Sequence, residues 1–112
     1  FSDTAKKEID DMKIAIDNLY YAVVSAFERQ DITQEETIKD LEEIVDDYKA
    51  KLERSHLIRL GNGQCSAESA GVFLSLVSNM ERIADHILNV FKSMKQYTQV
   101  TKTTHVLSSP KA

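Results

Sequence analysis

The chain has 112 residues, the length of one ordinary domain, and a composition 42% hydrophobic and 29% charged excludes an intrinsically disordered chain. Eighteen acids against 14 lysines and arginines give a net charge of −4, which excludes the basic face that a nucleic-acid partner needs. Cys65 is the single cysteine, so there is no internal disulfide framework, and no apolar run approaches the ~18 residues of a membrane span. The chain opens at Phe1 rather than methionine, with no signal-like start, and reads as a segment of a longer polypeptide.

Glycine is scarce and the only proline is Pro110, so few breakers interrupt the chain and long helices are expected. The first apolar stripe, Ile9, Met12, Ile16, Leu19, Val23 and Ala26, alternates steps of three and four and predicts a helix over about 3–29. In "RQDITQEE", Thr33 followed three residues later by Glu36 has the form of a capping box. The second stripe, Ile38, Leu41, Val45, Tyr48 and Leu52, then predicts a helix over about 34–60. "GNGQCSAE" breaks the pattern at Gly61 and Gly63, and Ser66 is placed to cap a third helix. Its stripe, Phe73, Leu76, Met80, Ile83, Ile87, Val90 and Met94, predicts a helix over about 67–97. "TQVTKTTHVLSSPKA" has no period and predicts a flexible tail over 98–112. Short connections make neighbouring helices antiparallel, so the expected fold is all-α: one domain, 1–97, an up-down-up three-helix bundle of the spectrin-repeat kind.

The second helix carries "DLEEIVDDY", in which five of the eight residues from Asp40 to Asp47 are acidic. Within it, Glu42-x-x-x-Asp46 has the spacing of Glu81-x-x-x-Asp85 in "MERIADHILN" on the third helix. Like charges at that spacing destabilise a helix by roughly 0.2–0.5 kcal/mol per pair. At about 100° per residue, Glu42 and Glu81 lie roughly 80–100° from their stripe centres, with Asp46 and Asp85 further out in the same rotational sense. Facing antiparallel helices bring both flanks to one side. Residues equidistant from a turn near Asn62–Gln64 lie level, which pairs Glu42 with Asp85 and Asp46 with Glu81. Four converging carboxylates offer oxygen ligands to a hard or borderline divalent cation, which would also remove their repulsion. The bland reading is a solvated acidic face, the common fate of such helix flanks.

"MERIADHILNV" resembles the third-helix motif of the PhoU-like family, in which Glu-Arg-Ile, a small residue, Asp-His and then Asn recur. The longer "HLIRLGNGQCSAESAGVFLSLVSNMERIADH" is similar to the PhoU-like domain that follows the membrane part of bacterial sodium/phosphate cotransporters. There a His-x-x-Arg-Leu, a Gly and a Cys-Ser lead into the same helix. The resemblance spans roughly 9–94, strong over 56–90 and loose in the first helix. It implies a three-helix bundle, and acid-x-x-x-Asp motifs that in some members bind multinuclear metal clusters. On this chain those positions are Glu42, Asp46, Glu81 and Asp85, and the implied cofactor is a divalent metal: Fe, Mn, Zn or Mg. Glu43-x-x-x-Asp47 also fits the motif; Glu42 and Asp46 are preferred because they share the frame of the third helix. The implied role is regulation of phosphate uptake by a domain on the cytoplasmic side of the cell membrane, with the membrane transporter in the same polypeptide as its partner. Full PhoU proteins carry two such bundles and this chain one, so a homodimer is allowed as the source of the second metal-bearing surface.

Glu53-x-x-His56 matches a di-iron ligand pair, but such sites need two pairs and two further glutamates on four helices. His86, Asn89 and Arg82 read as solvated surface. Tyr20, Tyr21 and Phe27 widen the first stripe and read as core or interface. Cys65 has no His or Cys at metal spacing and reads as an inert loop thiol. No nucleophile–base pair or phosphate-cradling glycine loop is found, so the expectation is a protein that is not an enzyme.

Overall fold

A computed structural model describes residues 1–108, with side-chain environments through Thr98. Helix α1 spans Asp3–Arg29, a 3-10 turn covers Ile32–Gln34, α2 spans Glu35–Gly61 and α3 spans Ala67–Ser108. Each helix packs against both others, in a rod 72 Å long and 18 × 16 Å across. The architecture is the all-α, up-down-up three-helix bundle that the periodicity predicts.

The starts of α1 and α3 are capped by serines. Ser2 Oγ accepts from Ala5 N–H, and Ser66 Oγ accepts from Ser69 N–H, both at 3.1 Å. The start of α2 differs from expectation. Asp31, not Thr33, is the capping side chain: its Oδ1 accepts from Thr33 N–H at 2.9 Å and from Thr33 Oγ1 at 2.5 Å. That engages the Thr33 hydroxyl, and Gln34, before α2, makes no side-chain capping bond. The same two bonds, side chain first, hold the Asp31 carboxyl below its ordinary range.

Both connections close with paired 6→1 and 5→2 backbone bonds. After α1, Asp31 N–H donates to Ala26 and Gln30 N–H to Phe27; after α2, Gln64 N–H donates to Arg59 and Gly63 N–H to Leu60. This motif needs a left-handed residue at its centre. Gly63 supplies it at φ 71° without strain, whereas Gln30 adopts φ 51° despite its side chain.

Ala5, Met12, Leu19, Ile38, Val45, Leu52, Phe73 and Val77 lie along one continuous core. In α3 the buried line is Ala70, Phe73, Val77, Met80, Ala84, Phe91 and Met94. Three members of the predicted third stripe are therefore corrected: Leu76, Ile83 (53% exposed) and Val90 lie on the surface. The small Ala70 and Ala84 occupy the core line, because alanine lets helices approach closely while a pattern weighted to large aliphatics passes over it. Tyr20, Tyr21 and Phe27 are also exposed and form no part of the core.

Helix α3 runs past residue 97, through most of the stretch predicted as a tail; 109–112 lie outside the described residues. An apolar period reports burial rather than backbone conformation. No glycine or proline intervenes between residues 94 and 108 to interrupt the helix.

Candidate functional site

The acidic flank is built by the middle turns of α2 and α3. Burying Val45 and Leu41 on α2, and Ala84 with Met80 on α3, turns Glu42 and Glu81 to the rim of the core, where both are half-buried. Asp46 and Asp85 sit one turn along and face solvent. The four lie close enough to perturb one another. Burial, then the charges of Asp46 and Asp85, push the Glu42 carboxyl above its ordinary range, with Lys92 opposing. Burial, then Glu81 and Asp85, push Asp46 up, with Lys49 opposing.

The charges are not left wholly uncompensated. Lys49 forms an ion pair with Glu81 and reaches Glu53 at 4.0 Å. Its hydrogen bond to Glu81 is the largest influence holding Lys49 in the charged form. On the other side of Glu42, a groove of about 620 Å³ between α2 and α3 is lined by Lys39, Lys92, Lys95 and Glu35. Lys95 binds Glu35 at 2.7 Å, tying α3 to the start of α2 and holding the Glu35 carboxyl below its ordinary range.

A cation fits the donor chemistry here, since Glu42, Asp46 and Asp85 offer hard oxygen ligands with no ion pair of their own among the described residues. The side chains do not form a finished cage: among the described residues, no group of three or more His, Cys, Asp or Glu stands ready to hold a metal. Closing one requires rotamer changes at exposed Asp46 and Asp85 and release of Glu81 from Lys49.

Crowding at the flank has a measurable sign. Glu42 binds its proton more tightly folded than unfolded, so its contribution to stability is present below the unfolded value, about 4.3, and is lost as pH rises through the raised folded value. Glu42→Gln is expected to raise the melting temperature by roughly 1–4 °C at neutral pH, in line with relief of one like-charge pair. The advantage should vanish in melts run below about pH 4.

Of the other singled-out residues, His86, Asn89 and Arg82 are exposed, as expected for surface. Glu53 and His56 do not act together, since Glu53 faces Lys49 while His56 is buried at the end of the bundle. Cys65 has a histidine neighbour that its sequence spacing did not show. Its Sγ lies 3.7 Å from His56 Nε2, while His56 Nδ1 lies 3.0 Å from Arg59 Nη2. His56 also stacks on Phe73, centroids 4.0 Å apart. The two residues are nine apart across a turn that folds α2's last turns back toward α3's start. The signal in the sequence was His56 at an interior position, next to the stripe residue Leu52 by one turn.

Among the described residues, no helix is long and apolar enough to cross a membrane. No curated protein and no solved structure matches the chain. Residues 9–94, most of the bundle and both acidic motifs, match the PhoU domain, and the chain belongs to that family of helical domains tied to regulation of phosphate transport.

Proposed function

We propose that this bundle is a regulatory domain of a sodium-dependent phosphate transporter, on the cytoplasmic side of the membrane, that binds a divalent cation at its acidic flank. Family membership supports the regulatory role. The transporter link rests on the likeness of the segment from His56 to His86 to the cotransporter-attached domains, with the membrane part in the same polypeptide. The cation reading is carried by the convergence of Glu42, Asp46 and Asp85, from two helices, on one surface, close enough for their charges to act on one another. Bound there, the metal would supply positive charge, and Glu42, Asp46, Asp85 and Glu81 would hold it. Ligation would order the α2–α3 flank and present it to a partner, including a second copy of the chain.

The test is a melting series with Mn, Fe, Zn and Mg ions. At a concentration a hundredfold above Kd, a ligand selective for the folded state stabilises by about 2.7 kcal/mol, roughly 10–20 °C for a domain of this size. The double variant Asp46→Asn, Asp85→Asn should melt slightly higher without metal and lose the metal response. A parent melt unmoved by all four ions would sink the cation reading. It would favour a metal-free interaction module with a solvated acidic face, the reading that the Lys49–Glu81 pair and the open geometry support.

A further inference from the structure

We propose that two copies of this chain pair through the uncharged apolar face that α1 and α3 share, antiparallel about a two-fold axis at Val90. The face is distinct from the acidic flank between α2 and α3 and needs no cation.

The face begins with α3. Leu76, Ile83, Val90 and Tyr97 are exposed and recur every seven residues. A seven-residue apolar repeat holds one line along a helix and forms the seam for another helix. The bundle core takes a different line of α3, through Phe73, Val77, Met80, Ala84, Phe91 and Met94, so this second line is surplus to the fold. Helix α1 adds Tyr20 and Phe27, also seven apart and about half exposed. Phe27 lines a groove of about 700 Å³ with His86, Val90, Met94 and Tyr97. Helices α1 and α3 run in the same direction, so Tyr20–Phe27 lies alongside Ile83–Tyr97.

The surroundings of the stripe set it apart from ordinary surface. Of the flanking α3 residues Asn79, Arg82, His86, Asn89, Ser93 and Gln96, only Arg82 is always charged, in a chain that is 29% charged. The other charges of this part of α3 gather on the α2 side, where Glu81 meets Lys49, Lys95 meets Glu35, and Asp85 and Lys92 act on Glu42. Depletion of charge together with exposed tyrosine and phenylalanine is the composition of an interface core.

A second copy suits this face on charge and on area. Two chains of net charge −4 repel, and this face brings few of their charges together. Tyr20, Phe27, Ile83, Val90 and Tyr97 leave roughly 600 Å² exposed, so a symmetric pair covers roughly 1,200 Å², the lower end for a specific interface. An antiparallel axis at Val90 sets Ile83 against Tyr97 of the second copy, seven residues to either side. Ile83, which stands outside the groove, then meets the groove of the other chain. A parallel pair would instead lay the Lys13–Asp17 ion pair of α1 over the Ile83 region of the copy.

Sedimentation velocity on the whole chain, over about 1–100 µM, should show a monomer–dimer equilibrium with a micromolar Kd. EDTA in the buffer keeps the readout apart from any metal bridge at the acidic flank. Tyr97→Glu, at a site 68% exposed and so tolerant of the change, should weaken pairing about tenfold or more. The double variant Ile83→Lys, Tyr97→Glu sets opposite charges face to face across the antiparallel axis and should recover much of the loss. In a Cys65→Ser chain, Val90→Cys should be joined into a dimer by a short bis-maleimide, and Leu57→Cys, on the exposed face of α2, should not. A chain monomeric at 100 µM overturns the proposal, and so does a dimer that Tyr97→Glu leaves unchanged. A monomer that binds phosphatidylcholine vesicles also overturns it and assigns the face to a lipid surface.

Discussion

Replacing Phe73 by alanine is expected to cost about 3–5 kcal/mol, against the roughly 5–15 kcal/mol that stabilises a domain of this size. The side chain is 0% exposed. It also joins all three chain segments at one end of the rod. The His56 ring of α2 stacks on it at 4.0 Å, the Phe1 ring meets it edge-on at 5.6 Å, and the Arg59 guanidinium lies 5.4 Å from its centre. Truncation leaves a cavity and removes the surface that fixes His56. A drop in melting temperature of roughly 15–30 °C follows from the usual slope for small domains. Phe73→Leu should lose much less, because most of the volume stays. A loss under about 1 kcal/mol for the alanine variant would show that this end of the bundle collapses freely around the gap.

Replacing Arg59 by methionine is expected to cost about 3 kcal/mol, the lower end of the range for breaking a buried ion pair. Arg59 and Glu8 approach to 2.7 Å with both side chains 13% exposed, so neither charge has water to fall back on. The contact is more ionic than directional, since Glu8 Oε1 makes no well-aligned hydrogen bond. The variant leaves a carboxylate stranded between α1 and α2 and takes the donor from His56 Nδ1. The double variant Glu8→Met, Arg59→Met should recover a large part of the loss, because no unpaired charge remains. A urea-denaturation cycle over the four proteins measures the coupling. Additive losses would mean that the pair works only through packing of its aliphatic stems.

The fold was legible because two signals agreed. Steps of three and four in α1 and α2 marked faces that the structure buries, and Gly63 marked the second turn by the left-handed geometry it permits. The third helix was harder. Its surface carries Leu76, Ile83 and Val90 while its core line includes Ala70 and Ala84, so hydrophobicity alone pointed about a sixth of a turn away from the true buried line. The proximity of Glu42 to Asp85 and of Asp46 to Glu81 followed from helical phase and an antiparallel register, which are properties of the backbone. What phase does not give is where flexible side-chain ends settle, and Lys49 had a choice of acids; it took Glu81. The Cys65–His56 pair was out of reach for a related reason. It depends on how the five residues 62–66 fold back over the end of α2, and no periodicity describes that path.

Three helices of alternating direction have one further consequence. The peptide dipoles of α1 and α2 oppose and nearly cancel, and nothing opposes α3, the longest at 42 residues. The rod is therefore electrically polar along its length, by an amount close to one unpaired helix, about half an elementary charge at each tip. The tip near Ser66 is the positive pole. The backbone's share of the rod's polarity is thus set by an odd number of helices, and the charged side chains add theirs to it.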